Sequence, residues 1–190
     1  MIWAVVLAAG SSTRMGEAKA LLRTKDGKRF VDAIAATARA GGCSGVVVVV
    51  GPPHGEAIRA SLPVGVGAAW NPLPDRGMLS SVQTGIAALP PGASAALVWP
   101  VDIPYVAAPT VRAILDAAPG RIVVPVHNKR GGHPVRIPRR WFGDLAALDA
   151  AHGLKALLDA QAKEVDRLSV ADKAILVDVD TPEDYARTRE

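Results

Sequence analysis

Ile2-Trp3-Ala4-Val5-Val6-Leu7-Ala8, followed by Ala9-Gly10-Ser11-Ser12-Thr13-Arg14-Met15-Gly16-Glu17-Ala18-Lys19, decides how the rest of the chain is read. The first part is a continuous apolar run, the pattern of a strand buried on both faces. The second is a polar, glycine-containing loop leaving that strand's carboxyl end, where open α/β sheets place their ligands. Small residues at Ala8, Ala9 and Gly10 let backbone N–H groups approach a ligand closely. Ser11, Ser12 and Thr13 add hydroxyls, and Arg14 and Lys19 supply positive charge suited to phosphate oxygens. Two familiar phosphate loops are excluded by spacing: no Gly-Lys-Ser/Thr follows a second glycine, and Gly10 and Gly16 do not make the three-glycine dinucleotide fingerprint. On residue types alone the loop reads equally as a strand-to-helix turn with surface charges.

Working outward, strands and helices alternate. Gly45–Val50 carries five consecutive valines and reads as a second central strand, Val66–Trp70 as a third, Ala95–Trp99 and Ile122–Val126 as two more. Helical spacing is expected over Phe30–Arg39, stopping at Gly41-Gly42, and over His54–Ser61, Met78–Leu89 and Thr110–Ala118. Beyond Val126 the pattern changes: a turn at Lys129–His133, a short strand Val135–Ile137, two short helices around Trp141–Leu148 and Leu154–Ala160, and late strands at Val165–Leu168 and Ile175–Val177. Pro182–Arg189 is a terminal helix with Thr181 as N-cap and acids in its first turn. This alternation predicts one three-layer α/β domain over residues 1–190 with a mostly parallel sheet, and Lys129–Ala160 as an insertion or lid within it.

Composition narrows the function classes. Hydrophobic residues make up 49% but aromatics only 4%, so close packing of helices on a sheet is expected rather than an aromatic-filled barrel. The net charge of +4 and pI near 9.5 suit phosphorylated small molecules and are too diffuse for a nucleic-acid surface. Cys43 is the single cysteine, which excludes an internal disulfide and a zinc cluster and points to a reducing compartment. No apolar run has the length of a membrane span, and Met1–Ala9 lacks the basic start of a signal peptide, so a cytoplasmic location is expected.

Further segments stand at chemically useful places. Pro100-Val101-Asp102-Ile103-Pro104 aims a carboxylate past the end of a buried strand, where an Asp also serves as a turn-former. Asp178 and Asp180 share one face if their segment is extended, though acids before a helix start are ordinary. Gly77-Met78-Leu79-Ser80-Ser81 opens a helix with two hydroxyls that either bind a ligand or cap. Gly131-Gly132-His133-Pro134-Val135 puts a histidine in a turn among Lys129, Arg130, Arg136, Arg139 and Arg140, each of which is a solvated or an acceptor-facing charge. Cys43, His54 and His127 have no partners at catalytic spacing.

Leu7–Lys19 resembles the Leu-Ala-Ala-Gly-x-Ser-x-Arg-Met-Gly-x-x-Lys signature of the MobA-like nucleotidyltransferase family, and the resemblance runs on to Asp184. It implies an α/β/α, Rossmann-like (GT-A-like) fold with a mixed, mostly parallel sheet, and transfer of a nucleotidyl group from a nucleoside triphosphate to a phosphorylated acceptor. It also implies that Leu7, Ala8, Ala9, Gly10, Ser12, Arg14, Gly16 and Lys19, with Ser80, Ser81 and His133, bind the ligands. Arg14, Lys19 and Asp102 would be catalytic, and Asp102 and Asp180 would hold Mg²⁺, with Asp178 a lesser candidate. Ala8-Ala9 resembles the molybdenum cofactor cytidylyltransferase branch, whose donor is CTP and whose acceptor is molybdopterin, with a molybdoenzyme or its chaperone as an implied partner. Relatives carry Gly-Asp-x-Gly-Ala-Arg where this chain has Ala150-Ala151-His152-Gly153-Leu154-Lys155. That missing aspartate keeps a non-catalytic binding module open, beside a cytidylyltransferase for methylerythritol phosphate, whose relatives are usually longer and carry a β-arm not evident here.

Overall fold

A computed structural model describes residues 1–150 and 153–189. The opening run forms strand β1 (Ile2–Leu7), flanked by parallel neighbours β2 (Gly45–Val50) and β4 (Ala95–Pro100), with β3 (Val66–Trp70) beyond β2. The chain thus leaves β1 toward one side and returns to its other side with β4. The crevice at the carboxyl ends of β1 and β4 is therefore a topological switch point, where open sheets bind ligands.

Alternate side chains of these strands enter two separate cores. Ala4, Val6, Val46, Val48, Val50, Leu97 and Trp99 face α1 (Phe30–Gly41) and α4 (Ala108–Asp116). Val5, Leu7, Val47, Val49 and Val98 face α3 (Met78–Ala87) and two later helices. Apolar burial on both faces is what makes the runs continuous rather than alternating, each buried valine contributing about 1.5 kcal/mol. Helix α2 (Gly55–Ser61) connects β2 to β3. Gly42, at φ 110°, ends α1 as a left-handed cap. Gly85 lets α3 lie directly on the sheet, since a Cβ there would stand 2.2 Å from Val5 Cγ1.

The second half corrects one expectation. Lys129–Ala160 is not an insertion or lid. After β5 (Ile122–His127) and the short β6 (Arg130–Gly131), β7 (Val135–Pro138) runs antiparallel between β4 and β5, making the sheet mixed. Helices α5 (Phe142–Ala147) and α6 (Gly153–Ala160) then complete the layer beside α3, burying Leu145, Leu154 and Leu157. Strand β8 (Val165–Ser169) pairs parallel with β5, giving an eight-stranded sheet. The architecture is three-layered and Rossmann-like.

A second correction concerns Ile175–Val177, expected as a strand. Lys173–Leu176 is a 3₁₀ turn, because Asp172 Oδ1 accepts the Ala174 N–H at 3.0 Å and so favours a turn over extension. Asp172 Oδ2 also accepts from Ala107 N–H and Thr110 Oγ1, pinning the turn to the start of α4. The terminal helix α7 (Pro182–Arg187) begins as its sequence predicts: Thr181 Oγ1 accepts the Asp184 N–H, and Asp184 Oδ2 accepts the Thr181 N–H, a reciprocal capping box. No helix among the described residues is long and apolar enough to cross a membrane.

Candidate active site

A cavity of about 560 Å³ opens at the switch point. Its first wall is the loop after β1. That loop is folded on itself by Ser12, at φ 52°, whose carbonyl accepts the N–H groups of Met15 and Gly16 and whose Oγ accepts the Lys19 N–H at 3.3 Å. Met15 tucks against the core, leaving the polar side of the loop toward the cavity. Leu7, Ala8, Ala9, Gly10, Ser12, Arg14 and Lys19 all line it, while Gly16, at φ 73°, shapes the loop from outside.

The second wall carries the acids. Asp102 follows β4, and its carbonyl accepts the Val179 N–H at 2.8 Å, which lays Asp178 and Asp180 alongside it. Asp184 Oδ2 accepts the Asp180 N–H at 3.2 Å, so the α7 cap also orients that aspartate. Lys19 Nζ donates to Asp102 Oδ2 at 3.1 Å and to Asp180 Oδ1, and Arg14 donates to Asp180 Oδ2 at 2.9 Å. The Lys19 hydrogen bond, aided by its charge and by Arg14 and opposed by desolvation, holds the Asp180 carboxyl below the ordinary carboxylate range. One ammonium spanning both carboxylates shows that their oxygens converge on a single cation position. Hard oxygen donors of this kind suit a divalent ion that keeps water and phosphate ligands, so Asp102 and Asp180 fit Mg²⁺.

His133 closes the third side. Its N–H donates to the Ile175 carbonyl at 3.0 Å, and a cis bond joins it to Pro134. Its Nδ1 is buried with no hydrogen-bond partner among the described residues. Burial pushes the imidazole below its ordinary range, against the opposing pull of Asp102 and the Val98 carbonyl, so the ring is neutral at neutral pH.

The two helix-start serines differ. Ser81 lines the cavity; Ser80 does not, and its hydroxyl donates to the Gly77 carbonyl at 2.8 Å instead. Neither caps α3, whose N-cap is Gly77 with no side-chain bond. Asn71 Nδ2 donates to both hydroxyls, at 2.9 and 3.0 Å, so the residue just after β3 sets their positions. The basic cluster is likewise dispersed. Arg136, 3% exposed, donates to the carbonyls of Ile114 and Leu115 in the last turn of α4 and of Ala118 and Arg121 in the turn after it, being neither solvated nor acceptor-facing. Arg140 pairs with Glu164, and Arg139 reaches the Ala93 carbonyl.

A family model described as the MobA-like NTP transferase domain matches residues 4–165. The chain belongs to this family. As a MobA-like nucleotidyltransferase it is similar, at 31% identity over 96% of its own length and 94% of the other, to a protein named nicotine blue oxidoreductase from Paenarthrobacter nicotinovorans. It is also similar to the crystal structure of Rv0371c from Mycobacterium tuberculosis H37Rv, at 32% identity and TM-score 0.87, covering 98% of this chain and 96% of that one. A complex of Rv0371c with manganese superimposes at TM-score 0.82 and 31% identity, covering 98% and 97% of the two chains.

Ile58, Pro74, Met78, Val101 and Ile103 also line the MobA-like cavity and were not singled out by sequence. Each is an apolar residue with no functional group of its own, so only its position in the fold marks it. Asn71 carried a faint signal, an Asn-Pro directly at a strand end. In the altered acceptor segment, Ala151 and His152 lie outside the described residues.

Proposed function

We propose that this chain transfers a cytidylyl group from CTP to a phosphorylated acceptor of the molybdopterin type and releases pyrophosphate. The observation that carries the reading is the meeting of Arg14, Lys19, Asp102 and Asp180 at one cavity beside the phosphate-type loop. An acceptor phosphate oxygen would attack the α-phosphorus, and the bond from that phosphorus to the bridging oxygen would break, pyrophosphate carrying off the electron pair. A phosphate nucleophile is already ionised at neutral pH, so no general base is required. Arg14 and Lys19 would hold and neutralise the phosphates, and the loop backbone from Leu7 to Gly10 would orient the nucleotide. Mg²⁺, held by Asp102 and Asp180, would supply charge neutralisation at the triphosphate. Neutral His133, which lines the same cavity, would contact the acceptor. A cytoplasmic location belongs to the same reading, supported by the single cysteine, which forms no internal disulfide.

Pyrophosphate release with CTP, GTP, ATP and UTP, each with a molybdopterin acceptor, tests the proposal. Turnover preferring CTP is expected; clear preference for GTP overturns the cytidylyl assignment, and binding without turnover overturns the transferase assignment.

A second reading rests on the relative named nicotine blue oxidoreductase, similar over nearly the whole chain. The same cradle would hold a nucleotide-bearing redox cofactor beside a flat aromatic substrate. Bleaching of nicotine blue with matching oxidation of a reduced nicotinamide dinucleotide, in the absence of pyrophosphate release, would favour it.

A further inference from the structure

The Lys19 side chain is only 13% exposed, unusual for a lysine at the mouth of an open, polar cavity. It lines the cavity, yet its ammonium is engaged by carboxylates of the opposite wall. It is drawn back onto Asp102 Oδ2 and Asp180 Oδ1, while Arg14 occupies Asp180 Oδ2. Two carboxylates are thus balanced by two cations of the chain itself, and both oxygens of Asp180 are already engaged. We infer that the Lys19 ammonium occupies the divalent-cation position between Asp102 and Asp180 in the ligand-free protein, so that metal and Lys19 compete for the same two carboxylates.

Charge and anchoring both support this exchange. A divalent cation brings the same two positive charges that Lys19 and Arg14 supply, so its arrival releases both side chains without leaving the acids unbalanced. The Lys19 backbone stays fixed through its N–H to Ser12 Oγ, so only the four-carbon stem moves. Arg14, 66% exposed and bonded to Asp180 alone at this site, is free to follow. Once released, both cations face the cavity. The inference rests on the nucleotidyltransferase reading only for what then receives them, the phosphates of the donor. It assigns Lys19 two successive partners, and it makes the first loop a sensor of whether metal is bound.

The test uses the full chain without nucleotide, titrated with Mn²⁺ and followed by the electron paramagnetic resonance of the free ion. Lys19→Gln, which keeps a hydrogen-bonding head but no charge, is expected to bind Mn²⁺ about tenfold more tightly than wild type or better, since a unit charge a few ångströms from the ion is removed. Lys19→Arg is expected to stay near wild type. Lys19→Met provides the same neutralisation should the glutamine variant not fold, which circular dichroism reports. Equal or weaker Mn²⁺ binding by a folded neutral variant overturns the inference, because Lys19 would then be a simple structural tie. Binding of labelled CTP, GTP, ATP and UTP is measured separately. If no triphosphate binds while the neutral variants gain Mn²⁺ affinity, the exchange stands and the donor reading falls. If triphosphates bind and the neutral variants gain nothing, the reverse holds.

Discussion

The first-loop wall of the cavity and the basic stretch from Lys129 to Arg140 are both rich in positive charge, yet the fold uses them in opposite ways. Arg14 and Lys19 are few, and they meet Asp102 and Asp180 at the cavity. The later cations are many, and the ones with assigned partners are spent on structure: Arg136 satisfies the last carbonyls of α4, Arg139 holds the Ala93 carbonyl, and Arg140 pairs with Glu164. Only His133 from that stretch lines the cavity. A count of cations along a chain therefore says little about where an anion binds. What decides is whether the backbone brings the charges to a strand end, as the switch point does for the first loop, or buries them under a helix.

The contrast is broken or sharpened by four measurements. The largest effect is expected for Asp102→Ala: about a 10³-fold loss of metal-dependent turnover, or about 4 kcal/mol of transition-state stabilisation, with the circular dichroism spectrum unchanged. Pyrophosphate release at saturating metal reports it; unchanged turnover would remove Asp102 from the metal site. Next comes Arg136→Met, which leaves two carbonyls in the last turn of α4 and two in the turn after it without their donor. Urea denaturation should show about 3 kcal/mol less stability, while nucleotide binding stays as in wild type. If instead stability holds and acceptor affinity falls, the arginine is a ligand residue and the contrast fails.

His133→Ala should be milder and one-sided. Turnover should drop about tenfold through the acceptor's KM, with the affinity for triphosphate retained, since one hydrogen bond to the acceptor is lost. Weakened triphosphate binding would place His133 on the donor side instead.

The smallest effect is on stability against pH. Burial lowers the His133 pKa in the folded state below the ordinary value of 6.5, so the unfolded chain binds the extra proton first. Stability from this group is therefore complete above the ordinary value and is lost as pH falls through it toward the folded-state pKa. Thermal unfolding of wild type and His133→Gln, compared between about pH 7.5 and 5, should show a steeper acid decline in wild type. Parallel curves would mean that the ring is protonated without penalty.

Much of this was legible before any coordinates. Five valines in a row can only be covered on both faces, and β2 runs over Gly45–Val50 as read. The late segments were harder. Ile175 has the look of a strand residue, but the deciding group is the carboxylate of Asp172, three positions earlier, which turns the chain and ties it to α4. Val135–Pro138 looked peripheral because its elements are short and irregular; its place between β4 and β5 follows from pairing with residues far away in sequence. Ser80 and Ser81 are adjacent and chemically identical, and only helix rotation sets one in the cavity and the other against Gly77.

Patterns among neighbours a few residues apart determined the buried parallel strands, the small-residue glycine loop after β1, and the Thr181–Asp184 cap, whose bonds close within one helical turn. The tertiary structure alone decided that Lys19 meets Asp102, 83 residues on, and Asp180, 161 residues on, and that Arg136 lies under α4 rather than beside a ligand. No local pattern encodes such pairs, because the sheet order and the switch in chain direction at β1 bring them together. The glycine loop could be read from the chain; the Lys19 ammonium between Asp102 and Asp180 had to be seen in the fold.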